Sequence, residues 1–115
     1  MNSPTTVTVR HAPERHRYEL VDGDAVIGKA HYVPHEGRKG PERIFHHTTV
    51  SEDYAGQGLA ARLVQEALDD TLAAGTAVVP LCPYVKVWLG KHPDYQARMA
   101  AIRPEHLAAV QNAVR

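Results

Sequence analysis

A single cysteine, Cys82, excludes an internal disulfide from this 115-residue chain. Neither charge sign is in excess: lysine and arginine number 13, aspartate and glutamate 13, so no net field recruits nucleic acid or an anionic membrane. Any polyanion must therefore be held by local geometry. No apolar run approaches the roughly 20 residues that cross a bilayer, and the opening MNSPTTVTVRHAPERHRYEL lacks the apolar block of a secretion signal. The expected location is the cytoplasm. Repeats and low-complexity segments are missing too, and the length supports one domain, residues 1–115, with a modest core. Neither GxxxxGK(S/T) nor GxGxxG occurs, which removes both common nucleotide fingerprints. Eight histidines invite a metal reading, with His31 and His35 on one strand face, but there is no HExxH and no cysteine pair at zinc spacing. No metal is expected.

The first half of the chain alternates. TVTVR places Val7 and Val9 on one side, and HRYELV does the same with Tyr18 and Leu20, so both read as short strands. Gly23, in DGD, can take positive φ and close a hairpin into a third strand, AVIGKAHYV. PHEGRKGPER has no period and reads as a mobile connection to a fourth strand, RIFHHTTV. From Gly58 the period changes to 3.6: Leu59, Leu63, Val64, Ala67, Leu68 and Leu72 form an apolar stripe, with Arg62, Gln65, Glu66, Asp69 and Asp70 facing away. Gly75 supplies a left-handed stop. TAVVPL follows as a strand buried on both faces, and the order strand, helix, strand predicts a parallel pair. Pro83 and Pro104 can open two further helices, YVKVWLGK and EHLAAVQNAV.

A strand that feeds a glycine turn into a helix presents unpaired backbone N–H groups at the positive end of the helix dipole. That is an anion site. Gly56 and Gly58 have no β-carbons, so phosphate oxygens can approach the main chain. A turn that needs only flexibility would use the same two glycines.

HTTVSEDYAGQGLAARLVQEALDDTLAAG and VVPLCPYVKVWLGKHPDY resemble the GNAT superfamily of acyl-CoA N-acyltransferases, and within it a very small subfamily with HTxV, GxGxA, PxCPY and HPxY motifs. The likeness runs from about Arg43 to Tyr95. It implies an α/β fold: a twisted, mostly antiparallel sheet with a splayed parallel central strand pair, flanked by two or three helices. It also implies acetyl-CoA as cofactor and an amine acceptor as partner, without nucleic acid or membrane. The coenzyme A arm would insert beside Thr49, Val50 and Ser51, and its pyrophosphate would lie on the turn Ala55, Gly56, Gln57, Gly58, Leu59 and Ala60. Ala55 departs from the Gln or Arg usual at that position, so the pyrophosphate would rest on backbone N–H groups.

Acyl transfer to an amine needs an unprotonated nucleophile, an oxyanion donor and a proton for the departing thiolate. A backbone N–H near Thr49 or Val50 is the implied oxyanion donor. His46 and His47, adjacent on a strand, are expected on opposite faces, and His47 is the candidate proton relay, with a purely structural role as the alternative. Cys82, ahead of Pro83, is a nucleophile, an acid or a packing residue. Leu89 falls where the family often carries a thiolate-protonating Tyr, which leaves Tyr84, Tyr95, Cys82 or water for that task. Val85 and Trp88 are expected in the core, and His92 is expected to cap its helix. The rival reading is a non-catalytic coenzyme A-binding or protein-interaction module on the same fold.

Overall fold

Val7, Tyr18, Leu20, Ala30, Tyr32 and Phe45 turn to one side of a five-stranded sheet and meet Leu59, Leu63, Val64, Ala67 and Leu68 of one long helix. The computed structural model describes residues 6–114, so residues 1–5 of the opening stretch lie outside it. The strands are β1 (Val7–Ala12), β2 (Arg17–Asp22), β3 (Ala25–Gly37), β4 (Gly40–Val50) and β5 (Ala77–Pro80), side by side in chain order. All neighbours are antiparallel except β4 and β5, which are parallel and joined by α1 (Leu59–Ala73). The parallel pair closes one side of the sheet rather than its middle, because β5 has no further neighbour. α2 (Pro83–Gly90), the single turn α3 (Pro93–Gln96) and α4 (Pro104–Val114) complete the chain.

The expected elements form for the expected reasons. Gly23 turns with φ 61° between β2 and β3. In α1 the stripe from Leu59 to Leu68 is buried and Leu72 packs against its edge. Gly75, at φ 76°, returns its N–H to the Leu72 carbonyl. Val78 and Val79 are wholly buried, as a strand covered on both faces requires.

The expected link between the third and fourth strands is overturned. PHEGRKGPER is not a mobile connection: β3 continues to Gly37, β4 begins at Gly40, and only Arg38 and Lys39 turn between them. Two features permit this. β2 pairs with β3 only as far as His31, so Pro34 removes no hydrogen bond to β2. His35 Nδ1 and His106 Nε2 each lie 2.8 Å from Glu42 Oε1, pinning α4 across the hairpin. Arg103 N–H donates to His106 Nδ1 at 2.9 Å, so the proton of this buried ring sits on Nε2 and points at Glu42. That arrangement spends the lone pair a metal would need.

Glu42 and Arg43 are neighbours and point to opposite faces. Arg43 reaches Thr71 of α1 and Tyr18 Oη, at 3.0 and 2.7 Å, whereas Glu42 reaches α4. α1 and α2 thus form one layer, and α4 lies on the other side over the hairpin end of β3 and β4.

Candidate active site

The parallel ladder stops at Phe45, opposite Pro80, while β4 continues to Val50. Cys82 N–H donates to the Phe45 carbonyl at 2.8 Å, and the chain then turns away into α2. Pro83 causes the divergence, because its fixed φ starts the helix where a strand would otherwise go on. The end of β4 is left with an open edge.

Which main-chain groups line that edge follows from the ladder to β3. Ser51 N–H donates to the Ile27 carbonyl at 2.7 Å, so by alternation Thr49 and His47 also point their peptide groups toward β3. Thr48 and Val50 point theirs into the gap. Of the three strand residues expected beside the coenzyme A arm, Val50 alone offers its backbone there. Thr48, missed in the sequence, offers both its backbone and a hydroxyl 3.4 Å from Cys82 Sγ.

The chain then makes a short turn, Glu52–Tyr54, held by the Tyr54 hydroxyl donating to Asp22 on β2. Ala55 is extended and exposed, and Gly56 and Gly58 take φ 80° and 72°, a conformation that excludes most side chains. A β-carbon at either glycine would meet no atom within 4 Å, so both open onto free space. Gly58 caps α1 without a side-chain acceptor, and the first turn holds no acidic residue. No acidic side chain of the first turn therefore competes for the N–H groups at Leu59 and Ala60, although the Leu59 side chain itself is buried in the core. Gln57 Oε1 is buried with no protein partner among the described residues.

From Gly58 a groove of about 570 Å³ runs between α1 and α2, past Arg62 and Gln65 to Tyr84, Lys91 and His92. Tyr84 stands on its wall, and burial raises its phenol above the ordinary range. His92 caps α2 as expected, Nδ1 lying 2.8 Å from the Trp88 carbonyl, and its ring stacks on Trp88 at 3.8 Å. Tyr95 is not brought to the gap. Its hydroxyl donates to Asp69 on α1 at 2.7 Å, a bond that raises its phenol and leaves the side chain bracing α3 against α1. Cys82 is buried and faces Thr48, while Leu89, Val85 and Trp88 pack in the core.

His46 and His47 do not point to opposite faces. A β-bulge gives β4 one more residue than β3 at this step, His31 pairing with His47 and Tyr32 with Phe45. Both rings consequently stand beside His31, with centroids 6.2 and 6.0 Å away. His31 is thus drawn to His46 and His47, and His35 to His106, so the two do not share a site.

A parallel strand pair that parts beside a glycine turn into a helix, with an open strand edge, an anion-ready helix start and a groove leading away, can hold an extended ligand with a phosphate at its bend. Comparison with known proteins gives the same fold. The solution structure of a GCN5-like protein from Staphylococcus aureus, with a proposed N-acetyltransferase role, superposes with a TM-score of 0.59 at 17% identity, covering 89% of this chain and 96% of that one. No curated protein matches the chain. The family model described as GCN5-related N-acetyl-transferase matches residues 17–98, which hold β2 to β5, the glycine turn and Cys82. The chain belongs to the GCN5-related N-acetyltransferase family.

Proposed function

We propose that the protein transfers an acetyl group from acetyl-CoA to a primary amine. The observation that carries this reading is the unpaired end of β4 running directly into the Gly56–Gly58 turn: one continuous path offers hydrogen bonds to an amide-bearing arm and then to a pyrophosphate. The residues present fit the cofactor. Thr48 and Val50 would hold the arm through their main chains, and Ala55 to Ala60 would hold the pyrophosphate through backbone N–H groups. Gln57 Oε1, without a protein partner, would find a donor on the ligand. Lys91 adds positive charge along the groove, where Arg62 is paired with Glu66 at 2.9 Å. When bound, acetyl-CoA supplies an activated thioester.

The chain's own residues divide the remaining work. A backbone N–H on the open edge of β4, at Thr48 or Val50, is placed to steady an oxyanion without reorganising. Cys82 and Thr48, whose Sγ and Oγ1 are 3.4 Å apart, form the polar pair nearest the end of the parallel ladder and are the candidates for protonating a thiolate. His47 stands on the far face of β4 as a proton relay. Tyr84 is a second proton donor from the groove wall, and Tyr95, engaged by Asp69, positions α3.

The non-catalytic alternative rests on Leu89, which is 1% exposed and offers no acid where a tyrosine is usual. Calorimetric titration with coenzyme A, followed by mass spectrometry of amines incubated with acetyl-CoA, separates the two. Binding together with acetylated product supports the enzyme, and binding without product supports the module. No binding overturns both.

A further inference from the structure

The bulge in β4 assembles more than a proton relay. On the sheet face away from α1, Lys29 lies opposite Thr49 and His31 opposite His47, and His46 is turned to the same side. Same-face neighbours on a strand are about 7 Å apart, so an ammonium and an imidazole stand side by side along β3. α4 covers only the hairpin half of this face, where it meets Glu42, and leaves His47 and Thr49 exposed.

The uncovered half is cationic. Arg10, Arg15 and Arg17 converge on the single carboxylate of Glu19, and Lys29 has no ion-pair partner among the described residues. A purely cationic acceptor would be repelled here, whereas a zwitterion could set its acid against Lys29 and its nitrogen against the imidazoles. The groups facing the histidines are Arg17, with its partner Glu19, from β2 and Lys29 from β3. Burial, then the charges of Arg17, His46, His47 and Lys29, hold His31 below the ordinary imidazole range. Burial and then His47 do the same for His46. Both rings are free to take a proton near neutrality.

We propose that the acceptor is a small amine carrying a carboxylate or phosphate within roughly 7 Å of its nitrogen, that it docks on this uncovered face, and that its nitrogen gives its proton to the His31–His46–His47 cluster. This rests on the acetyltransferase reading above. The step balances: the ammonium loses one proton to an imidazole, the nitrogen lone pair forms the C–N bond to the acetyl carbon, and the C–S bond breaks. The thiolate takes its proton from the Cys82–Thr48 pair, which regains one from the second nitrogen proton, and the imidazole proton returns to solvent. The groove at Gly58 opens on the α1 side of the sheet, so the amine and coenzyme A approach the acetyl carbon from opposite faces.

The test measures acetyl transfer to amino carboxylates, phosphoethanolamine, uncharged-tail amines, spermidine and a lysine peptide. Acid-bearing amines should show the highest kcat/KM, with the carboxylate and phosphate arms telling the two acids apart. Lys29→Glu should reverse the preference. The triple variant His31→Gln, His46→Gln, His47→Gln should lose roughly 10²-fold in kcat with a smaller change in KM. Wild-type kcat/KM should rise through a pKa below the ordinary imidazole value and then level. The variant should keep rising toward the pKa of the amine. If circular dichroism shows the triple variant unfolded, the same three positions changed to Asn give the profile comparison. Preference for spermidine or the peptide, or a histidine limb that survives substitution or is absent from the wild type, overturns the inference. Calorimetry with coenzyme A separates the failures: binding without transfer to any amine sinks this inference alone, and no binding sinks the acetyltransferase reading with it.

Discussion

Cys82 N–H donates to the Phe45 carbonyl at 2.8 Å, and that bond is the last main-chain tie between β4 and the chain leaving β5 among the described residues. Everything proposed for the ligand lies just beyond it, where β4 has an edge and no neighbour. The same tie buries the Cys82 thiol against Thr48.

Two roles for that thiol make opposite forecasts. If Cys82 carries the acyl group, acetyl-CoA without an amine should leave one acetyl on the protein at Cys82. We expect none, because a cleft that already aligns amine and thioester supplies much of the rate by orientation. Rapid-quench mass spectrometry decides the matter: an adduct that forms and decays as fast as turnover means the direct route is wrong. Cys82→Ala should also cost about 1 kcal/mol of stability through lost packing and the lost contact with Thr48.

The glycine turn gives a second forecast. Gly58→Val and Gly58→Ala both pay for φ 72° with about 1–2 kcal/mol of strain. Only valine also puts a branched side chain into the space ahead of α1. Calorimetry on folded protein should show coenzyme A affinity falling further in Gly58→Val than in Gly58→Ala, by about tenfold or 1.4 kcal/mol. Equal affinities would mean that the phosphate binds elsewhere.

Ala55 is exposed one residue before the turn, so an arginine there can swing toward the anion site. Ala55→Arg should tighten coenzyme A binding by about 1 kcal/mol as a charge-assisted hydrogen bond, and the gain should fade with salt. An affinity that does not change at low ionic strength would mean that the side chain turns away or that another cation already fills the role.

Glu19 predicts the acid sensitivity of the fold. Its carboxyl is 1% exposed; burial works to raise its pKa, but hydrogen bonds from Arg10 and Arg17 and their charges win, and the net shift is downward. A depressed folded value stabilises the protein above the ordinary glutamate pKa, and that stability is lost as pH falls through the folded one. Glu19→Gln should therefore lower denaturant stability at pH 7, by about 2 kcal/mol, less than for a fully buried pair because Arg10 is exposed. The gap from wild type should close in strong acid. A gap that persists at pH 2 would assign the loss to packing.

The period of two through Val7, Val9, Tyr18 and Leu20, and the 3.6-residue stripe from Leu59 to Leu72, were enough to read the strands, the central helix and the parallel pair, because local side-chain spacing dictates which face can be buried. The glycine turn was legible for a similar reason: only glycine tolerates the φ values found at positions 56 and 58. The long β3–β4 hairpin was not, since Pro34, Gly37 and Gly40 look like breakers until the pairing of β2 with β3 is seen to end at His31 and α4 to lock Glu42. The two histidines of β4 were misread for a related reason. Alternation places neighbours on opposite faces, and a bulge suspends that rule only through register with a partner strand, which no single segment encodes. Which peptide groups of β4 remain free likewise depends on the Ser51–Ile27 bond and on the departure of β5 after Pro80. Local sequence specifies conformations, while the unpaired edge, the histidine cluster and the direction Cys82 faces are properties of which strands and helices meet.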